Sequence, residues 1–206
     1  MKKFFTLIFT LCVLVVSANA QEYDYCHISG GMSVRGDIRE IKVSDIDNMS
    51  IYISASERRF ETVPNITIKG KNNISSFKKD ILNLKNKYIE YVNIAKSNNI
   101  TEINKEIKFN FDTPIYFRWY KGKYYEKIIP VETLFWVYES PNSFDEGTHI
   151  VYKMILKIGT NFENKYIWWD FCFSKEEHFD EFIEVLDTDK IDEFIRIQKN
   201  KENLFN

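Results

Sequence analysis

The sequence has few of the residues that mark fibrous, linker-like or disulfide-rich proteins. Among its 206 residues there are seven glycines, four prolines and three cysteines. So little glycine and proline excludes a collagen-like or low-complexity chain, and 44% hydrophobic with 28% charged residues excludes a disordered one. A net charge of −2 provides no basis for binding nucleic acid through its phosphates. The length predicts a single globular domain.

Motifs of catalytic and cofactor sites are equally scarce. No Walker A, G-x-G-x-x-G or G-x-S-x-G pattern occurs, so we predict no cofactor. Ser75 and Lys78 form an S-x-x-K, as in penicillin-recognising serine enzymes, but the companion motifs are absent and we interpret this serine as a helix cap. The histidines and cysteines lack the close pairs typical of zinc sites, so we predict no metal site.

The first twenty residues have the pattern of an export signal. Lys2 and Lys3 precede an apolar run from Phe4 to Val16, and small residues follow at 17–20. The run of about 13 residues is shorter than the roughly 20 that cross a bilayer as a helix. We predict a Sec-type signal peptide (residues 1–20), cleaved after Ala20, with an uncleaved anchor as the alternative. The mature domain, 21–206, would reach the bacterial periplasm or medium and would not span the membrane.

Cleavage would also change the cysteine count. Cys12 would leave with the signal, so that Cys26 and Cys172 remain. Two cysteines in an oxidising compartment are more often paired than free. We therefore predict a disulfide between them, with two buried free thiols as the alternative, because Cys172 lies in a run that is apolar on both faces.

Two regions of the mature chain have the pattern of strands. Residues 21–35 show no clear period, but short β-branched runs from Ile38 to Ile68 are typical of strands with turns. Residues 103–173 alternate with period two, which predicts an antiparallel meander. We expect one strongly bent sheet with 166–173 in its middle, because that run is apolar on both faces.

Helical periodicity separates and follows these strands. Apolar residues three or four apart from Phe77 to Ala95 predict one long helix, capped by Ser75 or Ser76 and packed on the sheet. Asp-Glu-Phe-Ile occurs at 180–183 and at 192–195, and the two copies would not share a face of one continuous helix. We therefore expect a break at 187–189 between two short C-terminal helices, the first capped by Ser174, with a frayed tail from about 199. The fold class predicted is α+β.

Four tyrosines near the Lys121-Gly122 turn are the best candidate binding surface. Tyrosine offers a large contact area at low entropic cost, which suits a protein or glycan partner. The four are Tyr116, Tyr120, Tyr124 and Tyr125. Ordinary cross-strand pairs on a half-buried sheet are the alternative interpretation. The acidic stretch 176–189 is interpreted as a solvated helix face, with a docking surface for a basic partner as the alternative.

Asp170 is the acidic residue that the apolar pattern singles out. It lies between Trp169 and Phe171, and a buried acid needs a partner. It is either a paired structural group or a site group with a raised pKa. With a second carboxylate or His149, it would suit a hydrolase.

The whole pattern favours an exported, non-catalytic binding or inhibitory protein of the bacterial envelope, of the immunity type. It would act by surface recognition of a protein or glycan. The alternative is a small envelope hydrolase acting on glycan or peptide through paired carboxylates, with Asp170 and His149 as its groups.

Overall fold

A computed structural model describes residues 21–31, 39–55, 65–120, 124–141, 147–162 and 165–204. The signal predicted for residues 1–20 and the Lys121-Gly122 turn lie outside these ranges. The strands are β1 (Tyr23–Ile28), β2 (Arg39–Ser44), β3 (Ser50–Ala55), β4 (Asn65–Lys69), β5 (Ile103–Ile107), β6 (Tyr116–Tyr120), β7 (Tyr124–Ile128), β8 (Val131–Pro141), β9 (Thr148–Phe162) and β10 (Lys165–Phe173). The α-helices are α1 (Lys71–Ser97), α2 (Glu176–Val185) and α3 (Thr188–Asn203), and a short 3-10 helix spans Ile46–Asn48.

The strands form two antiparallel sheets. The six-stranded sheet has the order β1-β2-β3-β4-β6-β7, and the four-stranded sheet has the order β10-β9-β8-β5. The predicted α+β class with an antiparallel meander is confirmed, but the expected single bent sheet is divided in two. Helix α1, whose 27 residues span about 40 Å, carries the chain from β4 of the six-stranded sheet to β5 at an edge of the four-stranded sheet.

Strand β1 lies in the segment where the sequence shows no period. It pairs with β2, and the register shifts between Asp24 and Cys26. A bulge of this kind puts residues before and after it out of phase. The buried residues Tyr23 and Ile28 are therefore an odd number of positions apart. The strand thus lacks the period-two alternation of apolar residues by which strands are predicted from sequence.

Strand β10 lies at an edge of its sheet, and the prediction that it lies in the middle is wrong. Within the described ranges it pairs only with β9. Its Phe171 and Phe173 contact Phe182 of α2, with ring centroids 5.5 and 5.7 Å apart. Cys172, on the other face of the strand, is also buried. Both faces are thus covered, although one edge has no neighbouring strand in the described structure.

Helix α1 begins earlier than predicted. Its N-cap is Gly70, whose φ of +87° suits glycine, and the predicted caps Ser75 and Ser76 lie inside the helix. Its predicted end near Ser97 is confirmed. The helix contacts α2 and both sheets, through β4 and β9. Its buried apolar side chains are Ile74, Phe77, Ile81, Leu84, Tyr88 and Ala95.

The predicted break between the C-terminal helices is confirmed. Asp187 caps α3, because its side chain accepts hydrogen bonds from the backbone N–H groups of Asp189 and Lys190. Ser174 does not cap α2; its hydroxyl lies 3.4 Å from Nδ1 of His178 instead. Helix α3 runs to Asn203, through the tail that was expected to fray.

Candidate binding site

Asp170 is buried and paired. It is 4% exposed, and its carboxylate lies 3.6 Å from the guanidinium of Arg39, which is fully buried. The same guanidinium donates to the backbone oxygen of Asp170 and, through Nε at 2.8 Å, to that of Gly31. Arg39 belongs to β2 and Asp170 to β10, so the pair joins the two sheets. This arrangement supports the structural interpretation of Asp170.

The structure does not bring together the two groups of the hydrolase hypothesis. His149 is exposed on β9, opposite Ser140, whereas Asp170 is opposite Lys157 of the same strand. Eight residues of strand separate the two positions, about 26 Å at 3.3 Å per residue. His149 and Asp170 therefore cannot act on one bond.

A second buried carboxylate, Asp80 of α1, escaped the sequence interpretation. Thr113 donates a hydrogen bond to it at 3.1 Å. Burial raises the pKa of Asp80, and the hydrogen bonds from Thr113 and from the backbone of Asp112 offset only part of that increase. Asp80 anchors the segment before β6 to the helix. Its position in the sequence could have indicated its burial, because Asp80 lies three residues after Phe77 and therefore on the apolar face of α1.

Both cysteines are free thiols, and the predicted disulfide is absent. Cys26 lies on β1, close to Glu181 of α2. The negative charge of Glu181 contributes to the raised pKa of the Cys26 thiol. Cys172 points away from α2, because its neighbours Phe171 and Phe173 face that helix. The two thiols thus lie on opposite sides of β10.

We expect both thiols to react slowly in the folded protein. Burial raises the pKa of Cys26 and of Cys172 to about 11. At pH 8 such a thiol is about 0.1% thiolate, against roughly 24% at the ordinary pKa near 8.5. A disulfide-exchange reagent should label the native mature chain at least a hundredfold more slowly than free cysteine. The unfolded, unreduced chain should titrate two thiols, and a count of zero would restore the disulfide.

The register of β6 and β7 separates two of the four predicted tyrosines, Tyr116 and Tyr125. In the β6–β7 register, Tyr116 lies opposite Ile128, and Tyr120 lies opposite Tyr124. Tyr125 lies opposite Trp119 and stacks on it, with centroids 5.5 Å apart and planes at 10°. Paired residues share a face and successive residues alternate, so Tyr125 and Tyr116 lie on opposite faces. The side chains of Tyr120 and Tyr124 lie outside the described structure.

A cleft lies on the face of the six-stranded sheet that carries Tyr116. The register aligns Tyr52, Thr67 and Tyr116 on this face, which we call the outer face because Phe117, on the other face, lies in the core. The cleft, here the outer cleft, has a volume of about 290 Å³. The residues that line it, through side chain or main chain, are Ile46, Asp47, Tyr52, Lys69, Arg118, Tyr125 and Glu126.

Cations and aromatic rings meet in the outer cleft. Nζ of Lys69 lies 2.7 Å from the carboxylate of Glu126 and 4.6 Å from the ring centre of Tyr116. The guanidinium of Arg118 lies 5.8 Å from the ring centre of Tyr52. Cation–π contacts of this kind hold the charged groups over the rings.

The titration of two cleft groups suits binding rather than proton transfer. Burial raises the pKa of Tyr52. Burial lowers the pKa of Lys69, but the hydrogen bond to Glu126 and the negative charges of Glu126 and Asp47 together raise it by more. The pKa of each group is thus raised further above neutral pH, so both Tyr52 and Lys69 keep their protons at physiological pH.

The acidic stretch of the C-terminal helices is occupied by internal contacts. Glu181 accepts hydrogen bonds from the N–H and hydroxyl of Ser29 and from the N–H of Gly30. The other pairs are Glu176 and Asp180 with Lys85, Glu184 with Lys190, Asp187 with Lys78, and Asp189 with Lys71. These ion pairs reduce the net charge of the second docking candidate, although most of its carboxylates stay exposed. The outer cleft is the better candidate because it combines charged groups with aromatic rings.

The described ranges contain no cluster of three His, Cys, Asp or Glu residues that could hold a metal ion. No helix within those ranges is long and apolar enough to cross a membrane. The chain matches no known family model, no curated protein and no solved structure.

Proposed function

We propose that this protein is an exported, non-catalytic binding protein of the bacterial envelope, of the inhibitor or immunity type, which recognises a partner protein through the outer cleft. The observation that carries the proposal is the set of groups in the cleft. Tyrosine and arginine, the residue types enriched at protein interfaces, lie there beside lysine and carboxylates. The export signal predicted from the sequence of residues 1–20 supports the proposed location.

The surroundings of the cleft favour a protein partner. Ile128 is 55% exposed and lies opposite Tyr116, so an apolar and an aromatic side chain adjoin the charged groups. Strand β7, which carries Ile128, forms an edge of the described sheet. An edge strand can pair with an extended segment of another chain, while neighbouring pockets select its side chains.

The ion pairs of the cleft are able to exchange partners. The side chains of Lys69 and Glu126 are about one-third exposed, and exposed pairs contribute little to stability. A partner can therefore replace one member without a large penalty. Charged groups at such a rim increase specificity and the rate of association.

Site-specific photo-crosslinking in envelope extracts tests this proposal. A photoreactive phenylalanine analogue at position 128, in place of Ile128, should give a partner adduct of defined mass. The same analogue at position 197 is the matched control, because Ile197 of α3 is 40% exposed and lies outside the cleft lining. We expect no adduct there, and we expect Tyr116→Ala to reduce the adduct at 128 about tenfold. The proposal fails if position 128 gives no adduct, or gives the same adducts as position 197.

A further inference from the structure

We propose that Arg118 forms a carboxylate-binding subsite of the outer cleft and that Glu22 occupies it until an acidic segment of the partner displaces it. This inference rests on the proposed function, because the subsite belongs to the same cleft. It extends the proposed function by specifying an acidic segment of the partner and by identifying Glu22 as an intramolecular competitor for the subsite.

The subsite has the geometry that carboxylate recognition needs. Nη1 of Arg118 lies 3.2 Å from a carboxylate oxygen of Glu22. The Arg118 side chain is only 23% exposed, and its guanidinium lies over the ring of Tyr52. A guanidinium presents a planar fork of donors that matches a carboxylate, and restricting its motion reduces the entropic cost of binding.

The contact with Glu22 crosses the outer face instead of joining neighbouring strands. Glu22 precedes β1, Arg118 belongs to β6, and β2, β3 and β4 lie between those strands. On a flat sheet these four spacings would measure about 19 Å. The sheet must therefore curl toward this face, and the two side chains meet above Tyr52. The Glu22 carboxylate thus occupies the position that a ligand carboxylate would take.

Glu22 is suited to being displaced. It precedes the first paired residue of β1, and its side chain is 38% exposed. Cleavage after Ala20, as predicted, would make it the second residue of the mature chain, where residues move most easily. While Glu22 occupies the subsite, a ligand cannot bind there. The apparent affinity for the ligand is therefore reduced in proportion to the fraction of molecules in which Glu22 is bound.

The internal occupant also indicates the class of ligand. It is a glutamate side chain of the peptide segment that leads into β1, and the cleft lies beside an edge strand that can pair with a peptide. An acidic peptide segment reproduces both features, whereas an acidic glycan reproduces only the charge. We therefore assign the subsite to an Asp- or Glu-bearing segment of the partner protein.

Binding of a fluorescent deca-glutamate peptide to the mature chain tests the inference. Glu22→Gln should bind the peptide about threefold more tightly than the wild type, because the competitor is neutralised. Arg118→Gln should bind at least tenfold more weakly with an unchanged unfolding temperature. Asp24→Asn is the matched control, since Asp24 is close in sequence but pairs with Lys42, and it should change the affinity less than 1.5-fold.

Several results would overturn the inference. They are an unchanged affinity for Glu22→Gln, an equal gain for Asp24→Asn, full binding by Arg118→Gln, and tighter binding of polygalacturonate than of the peptide. If any of these occurs while the adduct at position 128 persists, the proposed function stands, and only the inference of an Arg118 subsite occupied by Glu22 is wrong.

Discussion

Asp170→Ala should lower the free energy of unfolding by about 3–5 kcal/mol, because it leaves a buried guanidinium without its carboxylate. Arg39 is fully buried and lies 3.6 Å from that carboxylate. A domain of this size is stabilised by only about 5–15 kcal/mol, so the substitution removes about a fifth or more of the total. Urea unfolding of the mature chain, followed by tryptophan fluorescence, measures the loss.

A double-mutant cycle separates the ion pair from the other contacts of Arg39. Asp170→Leu with Arg39→Met should cost less than the sum of the single changes, because the double variant leaves no buried charge. Glu193→Ala is the control, since the Glu193–Arg196 pair is exposed and should contribute less than about 1 kcal/mol. A loss below about 1 kcal/mol for Asp170→Ala would contradict the assignment of Asp170 as a structural partner of Arg39.

Gly30→Ala should lower the free energy of unfolding by about 3 kcal/mol. A Cβ at this position would overlap the backbone oxygen of His178 and lie 3.0 Å from the backbone nitrogen of Phe182. Backbone atoms of a packed helix cannot rotate aside, so helix α2 and the turn that follows β1 would have to separate. Overpacking of this kind usually costs about 1–3 kcal/mol, and the rigid neighbours place Gly30 at the upper end.

Gly70→Ala is the matched control for this prediction. Gly70 has a φ of +87°, but a Cβ there would meet nothing closer than 3.8 Å. Its cost is therefore backbone strain alone, about 1–2 kcal/mol. Urea midpoints compare the two variants. If Gly70→Ala is as damaging as Gly30→Ala, the requirement for glycine at position 30 does not come from close packing of the turn after β1 against α2.

The helices were predictable because their signals are local. The apolar spacing from Phe77 to Ala95 reports which face of α1 is buried, and the cap at Asp187 acts on residues two and three positions later. Strand β10 shows the limit of this reasoning. Its apolar residues report that both faces are covered, but they do not report whether the cover is a strand or the helix α2.

The candidate site was only partly predictable for the same reason. The Lys-Gly turn directed attention to Tyr116, which does lie beside the outer cleft. Tyr52, Lys69 and Arg118 escaped the sequence interpretation because they come from three strands, β3, β4 and β6. Which residues become neighbours across a sheet depends on strand order, and strand order leaves no trace in the local pattern.

The sequence by itself determined the α+β class, the long helix and the break at Asp187, because periodicity and capping involve residues a few positions apart. Only the tertiary structure decided the division into two sheets, the separation of Cys26 from Cys172 and the burial of Asp170 against Arg39. It also decided the composition of the outer cleft. These features depend on contacts between residues tens of positions apart, which form only when the sheets and helices pack.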